Sequence, residues 1–396
     1  MDIQPILAAL RKHKIPAALI VLEIALGCAV LCNAVFMIGD RLGEMRLPNA
    51  IDQSGIVDIN VQGTDPKLAN ADIPRNVATL REIPGVTAAA AVNMVPLLRG
   101  NMWVDGAVPS LDALAHPGNP LAGIYVFTRG GPEALGLRLL KGRFFNGDEY
   151  ADSKLQSYIP SGHAVVLTRS LAARLWPGKN ALGKQLWMSK TNAYTVVGVV
   201  ANVLLPQQIG SDPRGFSYAA FFPVSPADGL YDYIVRTTPR DRGRVIGEAV
   251  QKLETLAPNA VIKGQTFTAI RDKYFAGTRS MVWMLVQVCI VMLLVTAFSI
   301  VGLTSFWVGQ RRRQIGIRRA LGATRARIMQ YFQTENFLLS TLGVVLGVIL
   351  AYGANLYLMA HYQLDRMPWY YLPASAIVLW ILGQLAVLGP ALPASE

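Results

Sequence analysis

The chain has 396 residues, of which 52% are hydrophobic and 16% charged, with a formal charge of +12 and a mean hydropathy of +0.34. Soluble domains carry about a quarter charged residues, so this composition excludes a disordered, collagen-like or disulfide-stapled chain and speaks against a wholly soluble enzyme. Its 3 cysteines support no disulfide framework.

In chain order, residues 1–14 form an amphipathic tail carrying Arg11, Lys12 and Lys14. A bilayer span needs about 20 apolar residues. Residues 15–38 supply one, with Glu23 as its single charge. This run exceeds the h-region of a signal peptide, about 7–15 residues, and no small-residue cleavage site precedes Asp40, so it reads as a membrane anchor. Residues 281–308, 336–359 and 371–389 are three further spans without a charged residue. Between them lie the segment 309–335 and the loop 360–370, and 390–396 form the tail.

Basic residues in short loops set the orientation. The N-terminal tail is basic, and the loop after the second span carries Arg311, Arg312, Arg313, Arg318, Arg319, Arg325 and Arg327. The next loop carries only Asp365 and Arg366. Both termini and the arginine segment are therefore expected on the cytoplasmic side, and residues 39–280 outside. Those outer residues hold 26 basic and 20 acidic side chains, an ordinary surface. The excess charge thus reflects topology, not nucleic acid. Cys28 and Cys32 fall in the first span and Cys289 in the second, so the outer domain folds on its core alone.

Two segments of the outer domain look alike. Ile56–Gln62, Arg75–Glu82 and Val86–Val92 read as strand, helix and strand, as do Tyr231–Arg236, Arg240–Leu256 and Ala260–Lys263. The simplest packing sets these two βαβ-like units side by side as one lobe, about 50–99 and 223–275. Residues of about 100–222 then form an inserted lobe, with strands at Gly123–Thr128, Ala164–Thr168 and Tyr194–Val200 and a helix at Ser170–Trp176.

Gly178–Gln185 matches a phosphate-binding loop except at its last position, where Gln185 stands in place of the Ser or Thr that holds magnesium. No buried strand precedes it, so a turn is the preferred reading. His13, His116, His163 and His361 are scattered without metal-ligand spacing. No catalytic residues are assigned, and no metal or cofactor is expected on this chain.

The segment after the second span carries the most information. Ile317, Ala320 and Leu321 share one helical face, Gly322 suits the left-handed turn that stops a helix, and Thr324 can cap a new helix entering the third span. A short amphipathic helix joined by a hard turn to a rigid rod suits a lever. The competing reading is a topogenic arginine cluster lying on anionic membrane lipid. Glu23 is the intramembrane polar candidate, near Cys28, Cys32 and Asn33 and placed to meet Gln287. The alternative there is a protonated or hydrogen-bonded packing residue.

The stretch Arg311, Ile315, Gly316, Ile317, Ala320, Gly322 and Ala323 resembles the FtsX-like permease segment of MacB-type ABC transporters (type VII), where R-x-x-E-I-G-I-x-x-A-x-G-A is characteristic. Lys141–Phe145, Pro177 with Leu182–Lys184, and Val196–Val200 resemble that family's outer-domain motifs in the same order. The resemblance implies an α-helical membrane protein with four transmembrane helices and a large α+β periplasmic domain, a porter-like βαβ lobe plus an inserted lobe. It implies a coupling helix in which Arg313, Ile315, Gly316, Ile317, Arg318, Arg319, Ala320, Leu321, Gly322 and Ala323 seat on an ABC ATPase.

The implied function is a permease subunit in a bacterial inner membrane that transmits ATP-driven motion to the periplasm and drives efflux. The implied partners are a second permease, a periplasmic adaptor and an outer-membrane channel. Rival readings are a lipoprotein-sorting permease of the LolC/LolE kind, an FtsX-like regulator of a cell-wall hydrolase, and a membrane-anchored sensor. Gln314 stands where the family usually has Glu, which removes any ion pair made by that Glu. The sequence holds no nucleotide-binding domain, so ATP and magnesium are expected on a separate subunit. The end at Pro393–Glu396 lacks the family's basic tail, which raises the expectation of a shortened C-terminus.

Overall fold

A computed structural model describes residues 14–46, 49–100, 102–116, 119–156, 158–207, 209, 213–310, 325–362 and 367–394. The chain divides into two compact units, one formed by residues 47–277 and one by the helices that flank it in sequence.

The flanking unit is helical. Helix α1 spans Lys14–Met45. At about 1.5 Å per residue it is longer than the hydrocarbon core of about 30 Å.

The folded unit begins with strand β1 (Ile56–Gln62), helix α2 (Ala69–Arg81) and strand β2 (Val86–Val92). Strands β3 (Val104–Gly106) and β4 (Leu121–Phe127) follow, then helix α3 (Gly131–Leu135), strand β5 (Leu139–Gly142) and helix α4 (Gly147–Asp152). A small hairpin, β6 (Leu155–Gln156) with β7 (Ile159–Pro160), leads to β8 (Ala164–Thr168) and helix α5 (Arg169–Leu175). Next come β9 (Gln185–Trp187), β10 (Ala193–Val200), β11 (Ala219–Pro223) and β12 (Asp232–Thr237). Helix α6 (Arg242–Leu256), strand β13 (Val261–Thr266) and helix α7 (Phe267–Tyr274) complete the unit.

Eleven of these strands form one mixed sheet in the order β13-β1-β12-β2-β4-β11-β8-β10-β5, with β3 beside β4 and β9 beside β10. Both βαβ-like segments exist, but they interleave instead of lying side by side. Strand β1 pairs antiparallel with β12 and with β13, and β12 pairs antiparallel with β2. Each unit's two strands are thus parallel with a strand of the other between them. The gap left by a crossover helix is filled in this way, which gives β1, β12 and β2 two antiparallel neighbours each and leaves β13 at the edge. Val57, Ile59, Val61, Tyr233 and Val235 cover the face that packs on Ile73, Val77 and Leu80 of α2 and Val245, Ala249 and Leu253 of α6.

The second half of the sheet alternates pairings. Strand β4 is parallel to β11, β11 antiparallel to β8, β8 parallel to β10, and β10 antiparallel to β5. Of the Gly178–Gln185 segment, Gly178–Lys184 is a turn between α5 and β9 and Gln185 is the first residue of β9. Gly178 and Gly183 take φ of +69° and +75°, and Lys184 Nζ lies 5.6 Å over the Trp176 ring.

Three further helices belong to the helical unit: α8 (Ala276–Gln310), α9 (Arg325–Tyr362) and α10 (Tyr371–Ala394). Among the described residues, 3 helices, α1, α8 and α9, are long and apolar enough to cross a membrane, and α10 has a shorter apolar stretch, Tyr371–Ala386. Gly343 and Gly347 let α9 approach α1. A Cβ at Gly343 would lie 2.7 Å from Ile24 Cβ, and one at Gly347 would lie 2.5 Å from Cys28 Cβ. Small residues one turn apart serve this purpose in membrane helices. Asn33 Nδ2 donates to the Ala351 carbonyl at 3.2 Å, and Asn336 Nδ2 donates to the Gly383 carbonyl at 2.9 Å.

Candidate functional site

The coupling residues Arg313, Ile315, Gly316, Ile317, Arg318, Arg319, Ala320, Leu321, Gly322 and Ala323 lie outside the described residues, between the end of α8 at Gln310 and the start of α9 at Arg325. Glu23 sits on α1, half-buried, and its Oε1 accepts no hydrogen bond. Gln287 is exposed on α8 and does not partner it. The residue of α8 that approaches α1 near this turn is instead Thr296, whose Oγ1 would lie 3.4 Å from a Cβ at Gly27. All three cysteines are free thiols, Cys28 and Cys32 buried with their sulfurs 4.0 Å apart.

The feature of the folded unit that the sequence reading missed is the seam where the two halves of the sheet meet. Strands β2 and β4 share one ladder pair, Val92 with Phe127. Side chains extend the join. Asn93, 1% exposed, donates from Nδ2 to the Ile124 carbonyl at 2.8 Å and accepts from the Val126 amide at Oδ1, 2.9 Å. Thr128 Oγ1 accepts from the Ala91 amide at 3.0 Å. Arg81, from the end of α2, donates through Nε and Nη2 to the Ala89 carbonyl at 3.1 and 2.7 Å and through Nη2 to the Arg129 carbonyl at 2.8 Å. Three side chains thus reinforce a ladder with two backbone bonds at its end, Asn93 amide to Val126 carbonyl at 3.2 Å and Thr128 amide to Ala91 carbonyl at 3.0 Å. An Asn directly after the apolar run Ala88–Val92 was the available signal.

The second missed feature is a pair of buried acids on the sheet face opposite α2 and α6. Asp58 of β1 is fully buried and Asp232 of β12 is 7% exposed. Gln265 Nε2 donates to Asp58 Oδ2 at 3.0 Å, and Asn60 Nδ2 donates to Asp232 Oδ1 at 2.6 Å. Burial, then the charge of Asp232, pushes the Asp58 carboxyl well above the usual carboxylate range. Burial pushes Asp232 up to about 6. The period-two alternation of Val57, Ile59 and Val61 placed Asp58 and Asn60 together on the other face. It did not reveal that this face is buried as well.

At the far end of β12, Arg236 Nε donates to the Glu133 and Ala134 carbonyls at 2.9 and 3.2 Å. These are the last carbonyls of α3, where a cation is favoured. Gly136 closes that helix at φ +65°.

A large folded domain placed between the first and second of several apolar helices defines a membrane protein with a substantial body outside its spans. The chain belongs to the MacB/FtsX-type permeases of ABC transporters: the MacB-like periplasmic core domain matches residues 17–261 and the FtsX-like permease C-terminal domain matches residues 287–396. The folded unit is accordingly a periplasmic-type α+β domain.

The chain is 26% identical over 358 residues to the macrolide export ATP-binding/permease protein MacB of Nitrosomonas europaea, a match covering 85% of this chain and 49% of that protein. It is 24% identical over 293 residues to MacB of Marinobacter nauticus, covering 72% of this chain and 41% of the relative. The chain thus spans about half the length of these MacB relatives. An ABC transporter permease of Bacillus subtilis, YknZ, is 21% identical over 362 residues, covering 89% of this chain and 85% of that one. Among solved structures, the periplasmic region of MacB from Actinobacillus actinomycetemcomitans is similar at 16% identity and a TM-score of 0.37, covering 56% of this chain and 93% of that one.

Proposed function

We propose that this permease subunit couples ATP hydrolysis on a separate ABC ATPase to motion of its periplasmic domain, and that the motion drives efflux of a periplasmic substrate. Two copies of the permease, identical or paralogous, work with two ATPases, a periplasmic adaptor and an outer-membrane channel. Four spans hold the chain, with α10 as the fourth, and both termini face the cytoplasm. Closure of the ATPases moves the segment 311–323, and α8 and α9 carry that movement through the bilayer.

The observation that supports this reading is the presence of both family domains on one chain, with the arginine segment falling inside the FtsX-like match at 287–396. The assignment of ATP hydrolysis to another chain is supported by the match covering 85% of a relative that is named as a permease alone.

Ile317→Glu tests it. A charge on the apolar face of a small docking helix costs on the order of 2 kcal/mol or more. Affinity-tagged chain recovered from its own host's membranes is expected to bring down an ABC ATPase, and the variant to lose it. Equal recovery of the ATPase with the variant overturns the coupling role.

A further inference from the structure

Beside the β2–β4 seam lies a cavity of about 360 Å³, within the roughly 300–1,000 Å³ range of small-molecule sites. One wall is a helical stripe of α2, Pro74, Ala78 and Arg81, backed by the buried Ile73 and Val77. The opposite wall is α4 and the segment that follows β11, with Tyr150 and Val224 as its buried apolar groups. The floor is Thr128, one of the seam residues. The cavity therefore touches both halves of the sheet at the place where their ladder is thinnest.

Its chemistry is asymmetric. Apolar side chains make most of the lining, and no carboxylate is among the lining residues. Two arginines stand at one end. Arg81 spends Nε and Nη2 on backbone carbonyls. Arg129 is exposed and its guanidinium makes no ion pair or hydrogen bond among the described residues. The opposite wall is held rigid by a bidentate pair of Arg143 with Glu149, both bonds 2.8 Å, while Glu149 also accepts from the Asn146 amide at 2.7 Å.

We propose that this cavity is a binding site for a small amphipathic anion, an apolar body of modest size with one carboxylate or phosphate-like head paired to Arg129. Apolar burial supplies affinity, and the unpaired guanidinium selects the charge. Because Arg81 and Thr128 both line the cavity and bridge the seam, an occupied site fixes the angle between the two halves of the sheet. The site is independent of ATPase coupling, so its test needs no partner subunit.

The test uses the full chain in lipid nanodiscs and a decanoate carrying a diazirine, with the matching decanol as the uncharged arm. After irradiation, adducts are mapped by mass spectrometry. Decanoate is expected to label residues 73–81 and 224–226, and more strongly than decanol does. Ala78→Trp, at an exposed wall position, fills the cavity and is expected to abolish both labels there. Arg129→Gln is expected to lower the decanoate label roughly tenfold and leave the decanol label unchanged. Ala151→Leu narrows the cavity from the other wall and carries the same expectation as Ala78→Trp if that variant fails to fold. Adducts confined to the apolar helices, labelling unaffected by either filling variant, or equal labelling by decanol and decanoate would each overturn the proposal.

Discussion

Val92 and Phe127 form the one ladder pair that joins β2 to β4, and Asn93, the next residue, bonds both the Ile124 carbonyl and the Val126 amide with a buried side chain. The Asn93 amide also donates to the Val126 carbonyl at 3.2 Å and the Thr128 amide to the Ala91 carbonyl at 3.0 Å, so the join rests on a short backbone ladder that the Asn93 side chain extends.

Asn93→Leu keeps the volume and removes both bonds. The Ile124 carbonyl and the Val126 amide lose their side-chain partner in a buried site, at roughly 1–3 kcal/mol each, so the loss is expected to be about 2–6 kcal/mol. A lowered thermal midpoint of the purified chain, followed by near-UV circular dichroism, checks it. An unchanged midpoint would show that the backbone bonds and packing hold the seam without the Asn93 side chain.

The buried acids predict a pH dependence with a definite sign. Asp232 is raised to about 6 in the fold, against about 3.9 in an unfolded chain. Between those values the unfolded chain has released a proton that the folded chain retains. Stability is thus full below about pH 4 and falls as the pH rises toward 6. Asp58, pushed up by its burial and by Asp232, contributes with the same sign. Asp232→Asn is expected to flatten the curve between pH 4 and 6 and to raise stability at pH 7.5 by on the order of 2 kcal/mol. Denaturation at a series of pH values measures both, and a variant with the wild-type slope contradicts the assignment.

Gly347→Leu is expected to separate α9 from α1, since even a Cβ at that position would lie 2.7 Å from the Ala25 carbonyl oxygen. Cys28 and Cys32, both at 0% exposure, should then react with N-ethylmaleimide. In the wild type the half-buried Cys289 is expected to label first. Mass-spectrometric counting of adducts over time gives the order.

Gly136→Ala is expected to cost about 1–3 kcal/mol, because the position holds φ +65° and the added Cβ collides with the Arg236 guanidinium. Combining it with Arg236→Ala should not add the two losses, since both act on the same end of α3. A double-mutant cycle on thermal stability reads the coupling, and strict additivity would separate the two residues.

Much of this molecule is written in local pattern. Apolar runs with at most one charge marked the helices because a bilayer solvent accepts little else. The β-branched run Ile56–Gln62 and the run Val86–Val92 after Pro84-Gly85 read as strands, and Ala164–Thr168 is β8 to the residue. The motif order carried the family, since Arg311–Ala323 and the three outer-domain motifs follow one another as a set. Strand partners were not legible. Whether β1 lies beside β2 or between β12 and β13 depends on pairings across some two hundred residues, and the alternation of Val57, Ile59 and Val61 is the same in either arrangement. The buried acids, the seam at Asn93 and the cavity between α2 and α4 all follow from that choice of neighbours. Each is made of residues distant in sequence that become a site only when the two halves of the sheet meet.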